Sequence, residues 1–404
     1  MALADLSETV ASSERLEALI DAIAASGADA DAAERRAAFA RYAALPALKR
    51  PKARTWKHDL AKLDLAAAAP TQPVSTAIEQ VAPPGVIICD FATARRDHRG
   101  AFEAAFGATL REASAKFAEL TRAFRGPGRF IHVPRGLQID RPIVVSSGDD
   151  RFPHTVVTVG DGAICTIVEH LLDSGEPQTV CGLTEVLAAA GARVTYAIVQ
   201  NLGPASQAIA TRRARCAANA SVDWAVADLG GALSVDDIVA TLDAGGSHCA
   251  VTGLFFATGD QHVDLSSEIR HEAGNATSDT VIKSAASDRG QGRYFGNIVI
   301  LPHAHGSEAT LRDDALLLSK TSHVDSVPAL EIAANDVKAF HGATVGAIDE
   351  EELFYAQSRG IARIDAEKMI ALGFFEPAIA RFPTEELREE IRTMLAAKLG
   401  AGSS

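Results

Sequence analysis

The chain has 404 residues, of which 47% are hydrophobic and 23% charged. That length accommodates two or three domains with a sizeable core, and the composition is that of a globular protein rather than a disordered one. With 52 acidic against 39 basic residues and a net charge of −13, non-specific binding to nucleic acid is not expected, since it needs clustered Lys and Arg. No apolar run approaches the roughly 20 residues that cross a bilayer. The opening stretch MALADLSETVASSERLEALI carries acids early and has no basic block ahead of an apolar one. A cytoplasmic, reducing location without a membrane partner is therefore expected.

Residues 1–127 read as a mainly helical N-terminal domain. SSERLEALIDAIAASG and DAAERRAAFARYAALP repeat apolar residues at three- and four-residue spacing, the first closing at Gly27 and the second at Pro46. PTQPVSTAIEQVAPPGV has the Pro-rich character of a linker, GVIICDF that of a short strand, and RGAFEAAFGATLREASAKFAELTRAF that of a further helix.

From 128 to 348 the period changes. GRFIHVPRG, RPIVVSS, TVVTVGDGAICTIVEHLL, RVTYAIVQNL and SVDWAVADL are short β-rich runs separated by turn residues. Small-residue pairs recur at Gly162-Ala163, Gly191-Ala192, Asn219-Ala220, Gly245-Gly246 and Gly274-Asn275, 26 to 29 residues apart. That interval suits a coil-by-coil parallel β-helix, in which small residues let each coil turn its corner. A β-sandwich is the competing architecture, and the regular interval disfavours it.

Residues 349–404 return to helix. Asp349 with Glu352 has the form of an N-terminal capping box, and Arg359-Gly360 that of a stop. A short helix AEKMIAL is expected to end at Gly373. Thr384 caps a last one, with Leu387, Ile391, Met394, Leu395 and Leu399 on one face.

Few residues carry recognisable chemistry. The chain has no phosphate-binding G-x-x-x-x-G-K-[ST] loop and no G-x-S-x-G elbow. The five cysteines (Cys89, Cys165, Cys181, Cys216, Cys249) form no metal or redox spacing and read as buried small hydrophobes. His303 and His305 in LPHAHGSEA would share one side of a strand and offer a metal two imidazoles, with no third ligand in view. Glu169-His170, His271-Glu272 and Asp313-Asp314 are adjacent pairs whose side chains diverge on a strand. These absences point to a scaffold or binding protein. The alternatives are a stand-alone homodimeric metal-binding β-helix protein and, less favoured, a β-helix carbohydrate-active enzyme, for which the 5% aromatic content is low.

The segment LLLSKTSHVDSVPALEIAANDVKAFHGATVGAIDEEELFYAQSRGI closely resembles the SufB/SufD family of iron–sulfur cluster assembly proteins, in its SufD branch. SufB-like chains carry a Glu-rich version where this one reads FHGA. FAELTRAFRGPGRFIHVPRGLQIDRPIVV and KRPKARTWKHDLAKLDL are similar to the family's entry into its β-helix and to an N-terminal element. The resemblance implies a right-handed parallel β-helix flanked by helical domains and a non-catalytic scaffold role in a SufB–SufC–SufD complex. SufC, an ABC-type ATPase, would supply the nucleotide chemistry. It implies that His341 is an iron or nascent-cluster ligand at the SufB interface. The iron or cluster would be transient and shared with SufB, with none bound by this chain alone. It also implies that Leu353, Phe354, Tyr355 and Arg359 dock SufC. Where SufB has a functional cysteine, this chain has Asp313, and the family resemblance assigns no role to His303 or His305.

Overall fold

The computed structural model describes residues 17, 18, 20–22, 29–45, 82–110, 116–146 and 150–401. The element KRPKARTWKHDLAKLDL, the Pro-rich linker and most of the first expected helix lie outside them. The strands are β1 (Ile87–Cys89), β2 (Arg129–Val133), β3 (Ile143–Ser146), β4 (His154–Val159), β5 (Ile164–Leu172), β6 (Thr179–Ala188) and β7 (Arg193–Asn201). They continue as β8 (Gln207–Cys216), β9 (Ser221–Asp228), β10 (Leu233–Leu242), β11 (His248–Ala257), β12 (His262–His271) and β13 (Thr277–Ala286), then β14 (Gln291–Ile300), β15 (Ser307–Leu317), β16 (His323–Ile332) and β17 (Val337–Ala347). Even-numbered strands from β2 to β16 form one sheet and odd-numbered strands from β3 to β17 the other. All pair in parallel, except β1, which runs antiparallel to β2. This is a parallel β-helix with two strands per coil. Gln207, Leu233, His262, Gln291 and His323 stack in one column, so a coil takes 26 to 32 residues.

From β4 to β15, each turn from an even-numbered strand into the next odd-numbered one carries one left-handed residue. Gly162, Gly191, Asn219, Gly246, Asn275 and Gly306 have φ between 56° and 72°, a region open to glycine and, among other residues, favoured by Asn. Their N–H groups donate upward to the next coil, as from Gly191 to the Ala218 carbonyl at 2.9 Å and from Gly306 to the Asp336 carbonyl at 2.7 Å. The next residues (Ala163, Ala192, Ala220, Ser247, Ala276, Ser307) are small and fully buried. The small-residue pairs seen in the sequence are these corners.

The space between the sheets is filled by aliphatic and aromatic side chains, among them Ile167, Tyr196, Trp224, Leu265, Ile282 and Tyr294. Helices α1 (Asp29–Ala44), α2 (Phe91–Asp97), α3 (Arg99–Ala105), α4 (Lys116–Phe124), α6 (Arg363–Ile379) and α7 (Glu385–Ala401) pack on the outer sheet faces, and α5 (Glu350–Ser358) packs on α6. Phe117, Leu120 and Phe124 of α4, with Phe39 of α1, bury Cys181, Ile209 and Val235 of the even-numbered sheet. Phe375 and Ile379 of α6 and Leu387, Ile391, Leu395 and Leu399 of α7 bury Val199, Ala227, Leu254 and Phe256 of the odd-numbered sheet. In the last turn of α7, Lys398 Nζ donates to the Leu229 and Phe256 carbonyls and to Gln261 Oε1. Burial pushes that ammonium down to about 7.

Three expectations are corrected. The helix expected to run through residues 99–124 breaks after Ala105, because Gly107 turns left-handed (φ 73°) and its N–H donates to Glu185 Oε1 at 3.0 Å. The helix expected to stop at Gly373 continues to Ile379, through both Gly373 and Pro377. An interior glycine costs about 1 kcal/mol, and burial of Phe375, Ala378 and Ile379 on the sheet offsets it. His303 and His305 lie in the turn between β14 and β15, not on a strand. His303 Nε2 donates to the Glu272 carbonyl at 2.7 Å, so strand alternation does not set the two side chains on one face.

Candidate functional site

Among the described residues, the last coil, β16 and β17, has a neighbouring coil on one side only. His341 pairs with Leu311, Ala343 with Asp313, and Ser326 with Tyr294. Residues opposite each other in adjoining parallel strands share a face, and Leu311 and Tyr294 belong to the interior. His341 and Ser326 therefore take interior positions on a coil that no later strand covers among the described residues. Their companions on that face, Val324, Pro328, Leu330, Val337, Ala339, Ala343 and Val345, are all apolar. His341 is exposed, whereas Leu311 one coil below is buried. Beside it, Phe340 lies half in solvent under the Arg312 guanidinium, 5.8 Å from the ring centre.

One further polar group reaches this end from the coil below. Asp313 is fully buried. Its Oδ2 accepts the Ser326 hydroxyl, which ties the last two coils together. Its Oδ1 is buried with no partner among the described residues. Lys283 pairs instead with Asp314, at 2.7 Å, on the outer face. Burial without a facing cation pushes the Asp313 carboxyl up to about 7, against the opposing pull of the Ser326 bond. The divergence of Asp313 and Asp314 follows the alternation expected of a strand.

Imidazole and carboxyl groups suit iron and other divalent transition metals. No three His, Cys, Asp or Glu side chains converge in a metal-holding arrangement among the described residues, so this end offers part of a ligand set. The cysteines do not add to it. All five are free, and burial raises Cys89 to about 11 and Cys165 and Cys181 to about 12, disfavouring the thiolate that binds metal.

The helices after the last coil present a second surface. Asp349 caps α5 by accepting from the Glu351 N–H at 2.8 Å, and Arg359 and Gly360 (φ 85°) end it. Phe354 and Tyr355 are 73% and 62% exposed. The Arg359 guanidinium stacks 5.3 Å from the Tyr355 ring centre and donates to its hydroxyl at 3.2 Å. Leu353 is corrected as a docking anchor. It is 1% exposed and packs α5 onto α6 through Ala356, Ala366 and Ile370. Sequence reasoning missed three residues. Met369 and Ile364 of α6 are also exposed apolar residues, and Ser326 was legible only as the lone polar residue in the alternation Val324, Ser326, Pro328, Leu330.

The family described as SUF system FeS cluster assembly, SufBD core domain, matches residues 143–374, from the start of β3 into α6. Curated relatives include an iron–sulfur cluster assembly SufBD family protein of Staphylococcus saprophyticus, 28% identical over 308 residues. Another is the iron–sulfur cluster assembly protein SufB of Bacillus subtilis, 27% identical over 312 residues. Each match covers 74% of this chain and 66% of the relative, so the matched region spans just under two thirds of those proteins. No helix among the described residues is long and apolar enough to cross a membrane. Asp313, Ser326, His341 and α5 all fall inside the family match, which takes in more than half of the chain: the chain belongs to the SufBD family of iron–sulfur cluster assembly proteins.

Proposed function

We propose that the chain acts as a SufD-type scaffold subunit in the cytoplasm. It pairs through the end of its β-helix with a SufB-like subunit and presents His341 to an iron ion or nascent cluster held between the two chains. The observation that carries this reading is the uncovered last coil, with long unpaired strand edges and an imidazole on a face that is apolar apart from His341 and Ser326. Unpaired edges of that length are usually blunted or covered, and a partner solenoid stacked there would cover them. The chain supplies a neutral nitrogen ligand, and the partner supplies the thiolate and the rest of the set. Nucleotide hydrolysis belongs to a SufC-like ABC ATPase, docked at Phe354, Tyr355 and Arg359.

His341→Ala in the reconstituted complex is expected to reduce bound iron and sulfide roughly tenfold, with the complex intact, because the side chain is exposed. Wild-type iron and sulfide in an intact complex would remove the ligand role. Iron binding by a homodimer, without any SufB-like chain, would support the stand-alone metal-binding reading instead.

Docking is best tested by Phe354→Ala with Tyr355→Ala. Deleting residues from 350 onward would also strip α6 and α7 from the sheet they bury. Two exposed aromatic anchors are together worth on the order of 2 kcal/mol or more, so ATPase capture should weaken by about thirtyfold at an unchanged melting temperature. Undiminished capture sinks this half of the proposal.

A further inference from the structure

We propose that Asp313 is a second metal-donor group of the same site, held by Ser326 so that its free oxygen faces the end of the solenoid beside His341. This inference rests on the reading of His341 as a ligand. Asp313 belongs to β15, in the coil below the last, yet its partner Ser326 belongs to the last coil. The carboxyl group therefore bridges the two levels.

Its other oxygen, Oδ1, is buried and receives no hydrogen bond from any described residue. A buried carboxyl oxygen without a donor or cation costs about 1–3 kcal/mol. A site that receives a cation removes that cost. The residue directly above Asp313 in register is Ala343, with Gly342 before it, so only a methyl group stands over the carboxyl on the covering strand. His341 lies two positions before Ala343 and on the same face. Diagonal neighbours on adjoining strands are about 7–8 Å apart at their Cα atoms, a span over which an imidazole arm and a carboxyl arm can meet one ion. The pairing also fits the chemistry, since nitrogen and oxygen donors together suit Fe(II) and Co(II). When the carboxyl is protonated, formation of the metal–oxygen bond releases that proton to solvent through the uncovered end.

The test uses Co(II) as probe, added to the assembled complex containing the full chain, with affinity and the visible Co(II) absorption band as readouts. Asp313→Asn keeps the volume and the acceptor for Ser326 while removing the anionic donor. It is expected to weaken Co(II) binding about tenfold or more and to shift the absorption band, with complex assembly unchanged. If Asp313→Asn binds Co(II) with wild-type affinity and spectrum while His341→Ala loses it, Asp313 is not a ligand and the His341 reading stands. If both variants bind as the wild type does, or the wild type binds no Co(II), both readings fall.

Discussion

Replacing Arg212 with alanine is expected to lower the unfolding free energy by about 3–5 kcal/mol, the usual loss when one member of a buried ion network is removed. Arg212 projects from β8 into the interior. Its Nε donates to both oxygens of Asp236, at 2.8 and 3.1 Å, and its Nη1 to Glu169 Oε2 at 3.2 Å. The Tyr196 hydroxyl also donates to Glu169, at 3.1 Å. Glu169 sits on β5 in the opposite sheet, so one guanidinium joins the two sheets across the core. Without it, two carboxyl groups stay buried near a third, Asp228, which burial and the Asp236 charge already push up to about 6. Equilibrium denaturation of the variant measures the effect, and a loss below about 1 kcal/mol would mean that the network relaxes at little cost. Replacing Arg212, Glu169 and Asp236 together by apolar residues of similar volume should cost far less than the single change, because Glu169 and Asp236 are then not left behind without their cation.

The second large effect is of opposite sign and depends on pH. Asp313→Asn is expected to leave stability nearly unchanged at about pH 4 and to raise it by up to about 4 kcal/mol at pH 8. The folded carboxyl is raised from the ordinary 3.8 to about 7. Between those values the folded chain holds a proton that the unfolded chain has released. The native aspartate thus loses stability as pH rises through that window, and above it the loss is complete. Asparagine does not titrate and escapes the loss. Urea unfolding of both chains across pH 4–8 tests this, and a difference that does not change with pH would contradict it.

Much of this architecture was legible because a parallel β-helix writes its period into backbone conformation. Gly162, Gly191, Asn219, Gly246 and Asn275 recur because a left-handed corner excludes most side chains, a constraint local enough to read from one chain. The ends of α6 were not legible in this way. Gly373 signals a stop only if no surface is waiting, and the sheet that buries Phe375 and Ile379 comes from residues up to two hundred positions earlier. Leu353 shows the same limit. Its neighbours Phe354 and Tyr355 are as apolar as it is, and only the docking of α5 on α6 separates the buried residue from the exposed ones. His341 stood out through its family resemblance, while its place over Leu311 needed the strand register. Asp313 read as a departure from a family cysteine. That it faces inward, bonded to Ser326 and otherwise unpartnered, belongs to the stacking of coils.

The one-sided last coil has a thermodynamic corollary. In a stack of coils, stability is close to a sum over nearest-neighbour interfaces. An inner coil draws on two such interfaces, and the coil of β16 and β17 on one. Terminal units of this kind open with less free energy than inner ones. The strand that carries His341 is thus the part of the solenoid whose order depends most on what is placed against it. A second solenoid seated there turns an end coil into an inner one. Its binding energy and the ordering of the imidazole are then a single quantity, and a metal held between the two chains joins the same linkage.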